Sequence, residues 1–201
     1  MLRRFTMRKF TKVLTTAVAV SMIGASFAAC SGKKGNGIEG KYTGEFDATD
    51  SFVEKLGLSV DTNKKIIVVY ELELEDGEYE ISADKDDIVD QITDFLLDDD
   101  VKHSVVNMMG LGSYSDSELD TMAQNDGYDD FDDYWNQEVI EMLTEKAEDA
   151  ELSSEGTYEI DDDTVLFTPD DRDSNEFEGE IDGDSLMVYN EKFDTEIEFE
   201  K

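Results

Sequence analysis

The chain has 201 residues, of which 52 are acidic, 17 are basic and one is histidine, so its formal net charge at pH 7 is −35. Such a charge repels nucleic acid and anionic lipid head groups, and we therefore expect no nucleic-acid partner. The sequence contains a single cysteine, Cys30, which excludes an intramolecular disulfide. One cysteine and one histidine also provide too few ligands for an ordinary zinc site.

Residues 1–29 have the pattern of a secretory signal peptide. Basic residues come first, at Arg3, Arg4, Arg8, Lys9 and Lys12. An apolar stretch follows over 13–27, and its length of about 15 residues falls short of the ~20 that a membrane-spanning helix needs. The pair Arg3-Arg4 admits a twin-arginine route, but the residues after it fit that pattern poorly, so general export is favoured.

The end of this segment, Phe27-Ala28-Ala29-Cys30, resembles the lipobox of bacterial lipoproteins: an apolar residue, two small residues and a cysteine. Phe27 departs from the commoner Leu. The resemblance implies cleavage before Cys30 and acylation of that cysteine, which would anchor the protein on the extracytoplasmic face of the cell membrane. The alternative is an ordinary signal peptide followed by a chance cysteine.

The predicted mature chain consists of a lipidated cysteine with a flexible tether, 30–37, and one domain, 38–201. Removal of 1–29 leaves 12 basic against 52 acidic residues, a formal charge of −40. Apolar and aromatic residues are spread along this part, which predicts a folded, monomeric domain with an acidic surface. Cationic peptides or divalent ions are the natural partners of such a surface.

Strands dominate the first part of the domain. We predict a strand over 40–46 and, from the capping-box pattern Ser51-x-x-Glu54, a short helix over 51–58. Alternating apolar residues predict a strand over 65–74, and Asp76-Gly77 predicts a two-residue hairpin that sets Leu74 opposite Tyr79.

Residues 86–150 then follow a helical period. We predict helices over 86–97, over 101–109 and behind a second capping box at Ser115-x-x-Glu118. A longer helix is predicted over 128–149, with an inner stripe of Phe131, Trp135, Val139, Met142 and Leu143.

Five further strands are predicted after this block, over 156–160, 164–168, 176–182, 185–189 and 193–200. Their turns would pair Ile160 with Val165 and Ile181 with Leu186. With three strands before the block, the fold class is α+β: an eight-strand antiparallel meander with a helical insertion between strands 3 and 4.

The chain resembles the small lipocalin-like or calycin-like domains of Firmicutes lipoproteins in three respects. Gly40-Lys41-Tyr42 on the first strand is similar to the Gly-x-Trp motif of lipocalins, with Tyr in place of Trp. The repeated Gly-strand-turn-strand pattern at 156–167 and 177–188, together with the number of strands, completes the resemblance. It implies a small closed barrel that either holds one ligand or is filled by side chains.

Four aromatic residues are candidate pocket residues, because their strand positions face the predicted interior: Tyr70, Tyr79, Tyr158 and Phe167. They would either line a pocket for a small apolar ligand or fill the core. The histidine, His103, is the sole candidate base for a Ser-His-Asp arrangement, and we expect it to be an idle surface or core histidine. Chance alone pairs some of 52 carboxylates, so acid pairs carry no evidence for glycoside hydrolysis.

The segment 171–175 is similar to the first positions of an EF-hand loop, but Glu176 stands where glycine is needed and Asp182 where glutamate is needed. We therefore expect no EF-hand, no metal site and no cofactor, with an irregular calcium turn as the alternative. The sequence as a whole favours a non-catalytic, membrane-anchored binding module. The alternative is a structural lipoprotein with a filled barrel that contacts a cationic envelope protein.

We expect Cys30→Ala to abolish incorporation of radiolabelled fatty acid and to release the protein from membranes, because the acyl chains are the predicted attachment. The neighbouring substitution Ser31→Ala leaves the cysteine in place and should retain both. Unchanged labelling of the Cys30→Ala protein would contradict the lipoprotein prediction.

Overall fold

Residues 38–60, 62–148, 152–171, 174–190 and 195–201 are described by the computed structural model. The predicted signal peptide, Cys30 and the tether lie outside the described residues, as does Phe193 of the predicted last strand. The described residues divide into two compact units. A barrel unit takes in 38–47, 67–85 and the chain from 152 onward, and a helical unit takes in 48–66 and 86–148.

The barrel unit confirms the predicted fold class. Its described residues form eight antiparallel strands that pair in chain order and close into a barrel between the first and the last. The strands are β1 Gly40–Asp47, β2 Ile67–Glu75, β3 Glu78–Ala83, β4 Ser154–Asp161, β5 Thr164–Pro169, β6 Phe177–Asp182, β7 Ser185–Asn190 and β8 Thr195–Glu200. The helical insertion lies between β3 and β4, as expected.

Turn chemistry sets the register of the hairpins. Asp76 and Gly77 both have positive φ, 51° and 86°, as a type I′ turn requires. Leu74 consequently pairs with Tyr79, as predicted from the two turn residues. The predicted pairs Ile160–Val165 and Ile181–Leu186 are likewise confirmed.

Strict alternation on β2 separates the barrel core from an acidic exterior. Val68, Tyr70, Leu72 and Leu74 are buried, whereas Glu71 between them is exposed. A fully buried side chain of this size contributes roughly 1.5–3 kcal/mol to folding. The acids on the outer face therefore need no partners to be tolerated, because they stay in water.

Closure of the barrel depends on a close approach at Gly44. The β1–β8 seam pairs Thr43 with Glu200 and Gly44 with Phe199. A Cβ atom at Gly44 would lie 2.8 Å from Cγ2 of Ile197 and 3.0 Å from Cδ1 of Phe199. Only glycine leaves room for both side chains at this position.

In the helical unit the predicted helices are confirmed, with shifted ends. They are α1 Thr49–Leu56, α2 Lys85–Leu96, α3 Asp99–Met108, α4 Asp116–Asp126, α5 Phe131–Tyr134 and α6 Glu141–Glu148, with a π-helical turn over Trp135–Ile140. Within the described residues no helix is both long enough and apolar enough to cross a membrane.

The first predicted capping box is wrong. Helix α1 begins at Thr49, two residues before Ser51, and its N-cap is Ala48. The hydroxyl oxygen of Thr49 accepts a hydrogen bond from the backbone N of Ile66 at 2.9 Å, and the backbone N of Ala48 donates to the carbonyl of Ile66 at 2.8 Å. These contacts to a distant segment fix the start of the helix, and a local motif cannot reveal them.

The predicted long helix begins at Phe131, not at 128, and the π-helical turn changes its phase. Phe131, Trp135, Val139 and Leu143 of the predicted stripe are buried, while Met142 is only half-buried and Ile140 is buried in addition. A π turn holds one extra residue, so the regular 3.6-residue spacing fails there.

We expect Gly44→Val to lower the free energy of unfolding by about 2 kcal/mol, because the added atoms overpack the seam. Urea unfolding followed by circular dichroism would measure this change. Thr43→Val, at the exposed neighbouring position, introduces the same side chain as a control and should leave the midpoint almost unchanged. Equal midpoints for the two variants would contradict the proposed close approach.

Candidate binding cleft

The four aromatic residues singled out in the sequence are all buried in the barrel unit. Tyr79, Phe167 and Tyr158 form a chain of ring contacts, with centroids 5.0 Å apart for the first pair and 6.4 Å apart for the second. Phe177, which the sequence analysis did not single out, stacks on Phe167 at 4.4 Å. Rings in contact with rings favour the core interpretation, and ligand binding by these residues stays a prediction.

Burial also governs the acidity of these phenols. It raises the pKa of Tyr70 to about 12 and that of Tyr79 to about 12. The hydroxyl of Tyr79 also shares a 2.9 Å hydrogen bond with the hydroxyl of Ser154. Both phenols are therefore neutral at physiological pH and ionise only well above the pH at which an exposed tyrosine does.

Carboxylates line a groove on the barrel unit with a volume of about 510 Å³. Its acids are Glu73, Glu75, Asp76, Glu78, Glu80, Glu155 and Asp170. The described residues nevertheless contain no group of three or more acidic, histidine or cysteine side chains placed to hold a metal ion. Two residues of the suggested calcium turn, Arg172 and Asp173, lie outside the described residues.

A second cavity, of about 470 Å³, lies within the helical unit, and we refer to it as the insertion cleft. It is lined by parts of α3, by the loop after it, by the start of α4 and by the start of α5. Its lining is Asp99, Lys102, His103, Val106, Asn107, Gly112, Tyr114, Asp116, Leu119, Asp120, Asp130, Phe131 and Asp132. Eight of these thirteen residues are aspartate, lysine, histidine or asparagine, so the lining is largely polar around a smaller apolar part. Cavities of this size that hold both kinds of group are a common form of ligand site.

The loop beside α3 is shaped by two glycines. Gly110 has a φ of 76°, and behind it the backbone N of Leu111 donates to the carbonyl of Val106 at 2.9 Å, which ends the helix in a Schellman-type turn. Gly112 then passes so close to Asn107 that a Cβ atom there would meet the Asn107 amide oxygen at 1.6 Å. The loop can follow the helix this closely because residue 112 has no side chain.

The capping box predicted at Ser115 and Glu118 is confirmed. A carboxylate oxygen of Glu118 accepts hydrogen bonds from the backbone N of Ser115 at 2.9 Å and from its hydroxyl at 2.7 Å. The backbone bond, followed by the hydroxyl bond, lowers the pKa of Glu118. This box begins α4 directly after Tyr114 and so fixes one side of the insertion cleft.

Two aspartates accept hydrogen bonds from the start of α5, Asp120 from α4 and Asp130 as the N-cap of α5 itself. The carboxylate of Asp120 accepts a hydrogen bond from the backbone N of Phe131 at 3.1 Å, and that of Asp130 accepts one from the backbone N of Asp133 at 2.8 Å. Free N–H groups at a helix start are satisfied in this way. Negative side chains at this end of the helix also interact favourably with the helix dipole.

The side chain of Lys102 is an example of an alkylammonium group that is bound by residues of the insertion cleft. Its ammonium pairs with the carboxylate of Asp132. The same nitrogen lies 5.3 Å from the ring centroid of Phe131 and 5.5 Å from that of Trp135, within cation–π range. Carboxylate and aromatic faces thus hold the cation together.

The remaining groups form an apolar floor and an exposed rim. The floor consists of the buried side chains of Val106, Leu119 and Phe131, and Tyr114 on the rim has 40% of its surface exposed. Asp99 and Asp116 are also exposed. The described residues offer neither of these two carboxylates an ion pair or a hydrogen bond.

His103 belongs to this cleft rather than to the core. Its side chain is exposed, and its Nδ1 lies 2.9 Å from the backbone carbonyl oxygen of Asp99. The hydroxyl of the adjacent Ser104 donates to the carbonyl of Ser59 at 3.3 Å. Neither contact joins the histidine to a serine hydroxyl, as nucleophilic catalysis by a triad requires.

Sequence reasoning missed the insertion cleft. The sequence pattern places its floor residues on separate predicted helices, and the aspartates on its rim have the pattern of ordinary solvated acids. No family model, curated protein or solved structure matches this chain. The protein is therefore defined by its architecture: an eight-strand antiparallel barrel with a helical insertion that carries its own cleft.

Tyr70 and Tyr79 should both ionise near pH 12 in the folded protein. We expect Tyr70→Phe and Tyr79→Phe each to reduce by one the number of tyrosines that ionise there. The folded-state pKa values lie above the unfolded value, so the stabilisation from the neutral phenols is complete below about pH 10 and is lost as the pH rises towards 12. Titration of phenolate absorbance would measure this change. The control is the protein in urea, where all tyrosines should ionise near pH 10; a folded protein that gave the same curve would contradict the burial argument.

Proposed function

We propose that the protein is a membrane-anchored, extracytoplasmic lipoprotein that works as a non-catalytic binding module, and that its ligand occupies the insertion cleft. The observation that carries this proposal is the cleft itself. It combines an apolar floor, an exposed tyrosine and carboxylates in a cavity of about 470 Å³.

The barrel acts as the scaffold in this proposal. The contacts among Tyr79, Phe167 and Phe177 leave the barrel aromatics occupied with one another, so they contribute stability rather than recognition. The insertion instead offers groups that can still accept a partner. Loops and insertions on a stable scaffold commonly carry binding sites, because they can vary without loss of the core.

Binding rather than catalysis is supported by what the polar groups of the cleft already do. The Lys102 ammonium is held by Asp132, and the carboxylates of Asp120 and Asp130 cap the neighbouring helix. These roles are structural. The anchor is supported by the lipobox pattern at 27–30, which would keep the protein on the membrane.

A second candidate function is attachment to a cationic envelope protein through the barrel exterior. It is favoured by the acidic groove, where Glu78, Glu80 and Glu155 lie on adjacent strands. Clefts lined by one sign of charge raise the local concentration of oppositely charged partners. This function would leave the insertion cleft empty.

We expect the mature lipoprotein, purified from its host in a mild detergent, to carry a bound ligand in native mass spectrometry, and Tyr114→Ser to abolish the added mass. Tyr114 lies on the rim of the insertion cleft, so its loss removes contact area without opening the core. Tyr189→Ser on β7, where 42% of the tyrosine surface is exposed, is the matched control and should retain the ligand. Ligand retained by both variants would exclude the cleft as its site.

A further inference from the structure

The chemistry of the insertion cleft also indicates the class of its ligand. Resting on the proposed function above, we propose that the cleft binds a cationic peptide segment. One aliphatic or aromatic side chain of the peptide packs on the floor, and flanking lysine or arginine side chains pair with Asp99 and Asp116.

The floor supplies the apolar half of this recognition. Val106, Leu119 and Phe131 come from three different helices and line one cavity. Tyr114 beside them is large, aromatic and 40% exposed. Peptide contacts concentrate in pockets of this kind, where one anchor side chain displaces water from an apolar surface.

The rim supplies the charged half. Five aspartates line the cleft, and contacts within the unit engage Asp120, Asp130 and Asp132. The exposed carboxylates of Asp99, at the start of α3, and Asp116, at the start of α4, remain available for charges brought by a ligand. Two acceptors on separate helices fit a ligand with at least two cationic groups.

Lys102 provides an internal precedent for this binding mode. Its ammonium lies beside the carboxylate of Asp132 and over the ring of Phe131, both of which line the cleft, and also over the ring of Trp135, which is not part of the lining. A lysine of an incoming peptide would find one aromatic ring and one carboxylate at Tyr114 and Asp116, which are two residues apart in the chain. The protein thus already uses, within the cleft, the contacts assigned to the ligand.

The charge of the whole chain favours a peptide over a neutral ligand. A formal charge of −35 attracts cationic segments over distances longer than any contact and raises their association rate. A simple polyamine would satisfy the two carboxylates but would leave the apolar floor exposed to water. A short peptide carries both kinds of group.

The test measures binding of fluorescent peptides to the full-length lipoprotein in neutral detergent micelles by fluorescence anisotropy. The probe is the capped hexapeptide Lys-Leu-Lys-Phe-Lys-Leu, compared with hexalysine and with a version in which glutamate replaces lysine. We expect the probe to bind at least about tenfold more tightly than hexalysine, because hexalysine cannot cover the floor. The glutamate version should not bind.

The double variant Asp99→Asn with Asp116→Asn should weaken binding of the probe by about tenfold, the effect of two modest ion pairs. The matched control is Glu159→Gln with Glu178→Gln, which removes the same charge from exposed positions of β4 and β6. It should change the affinity by less than about twofold, since only general attraction is lost. Tyr114→Ser, which leaves the charge unchanged, should also weaken binding.

Equal losses from the two double variants would show attraction to the net charge alone and would overturn the proposal. Octylamine that binds as tightly as the hexapeptide would overturn it in favour of a small amine. An absence of peptide binding, combined with a native ligand that Tyr114→Ser still removes, would overturn the peptide class but leave the proposed function standing. If the peptide did not bind and Tyr114→Ser also failed to remove the native ligand, the proposed function would be overturned as well.

Discussion

Closure of the sheet at the β1–β8 seam is the constraint on which the rest of the barrel depends. A meander that failed to close would expose two strand edges, each with a row of unpaired backbone groups. The described chain closes it with the pairs Thr43–Glu200 and Gly44–Phe199. Because a chain with one cysteine has no internal disulfide, the ends are held by the pairing of β1 with β8 and by the side chains of Ile197 and Phe199 that lie close to Gly44. The acidic outer face is tolerated because this closed core keeps its strands in place.

Local chemistry explains which parts of the fold could be predicted from the sequence. The hairpin at Asp76-Gly77 and the capping box at Ser115 each depend on residues within a few positions, and both are confirmed. The capping box predicted at Ser51 is wrong because the helix starts earlier, at Thr49. The hydroxyl of Thr49 accepts a hydrogen bond from the backbone N of Ile66, 17 residues away. The prediction of one regular helix over 128–149 is wrong at the π-helical turn. There the indole N–H of Trp135 donates a hydrogen bond to the backbone carbonyl of Leu96, 39 residues away, a contact that helical periodicity cannot reveal.

The insertion cleft was hidden for the same physical reason. Its walls meet because Gly110 and Gly112 turn the chain back along α3 and because Asp120 accepts a hydrogen bond from Phe131, 11 residues further on. In the sequence, these aspartates cannot be told from the other acids of a chain that has 52 acidic residues. The sequence thus indicated the barrel aromatics, which turn out to pack together, and gave no signal for the surface that stays open.

The π-helical turn over Trp135–Ile140 also affects how this region can change in length. Such a turn contains one residue more than a regular helix needs. Deletion of one residue within the turn would remove this excess and restore a regular helix. The residues after the turn would keep their places, because the wider turn already absorbs the extra residue, so Leu143 and Ala147 would stay buried in the core. The same deletion within the regular helix α6 would instead rotate the residues after it by about 100°. The π-helical turn is therefore the point at which this region can lose one residue at little cost.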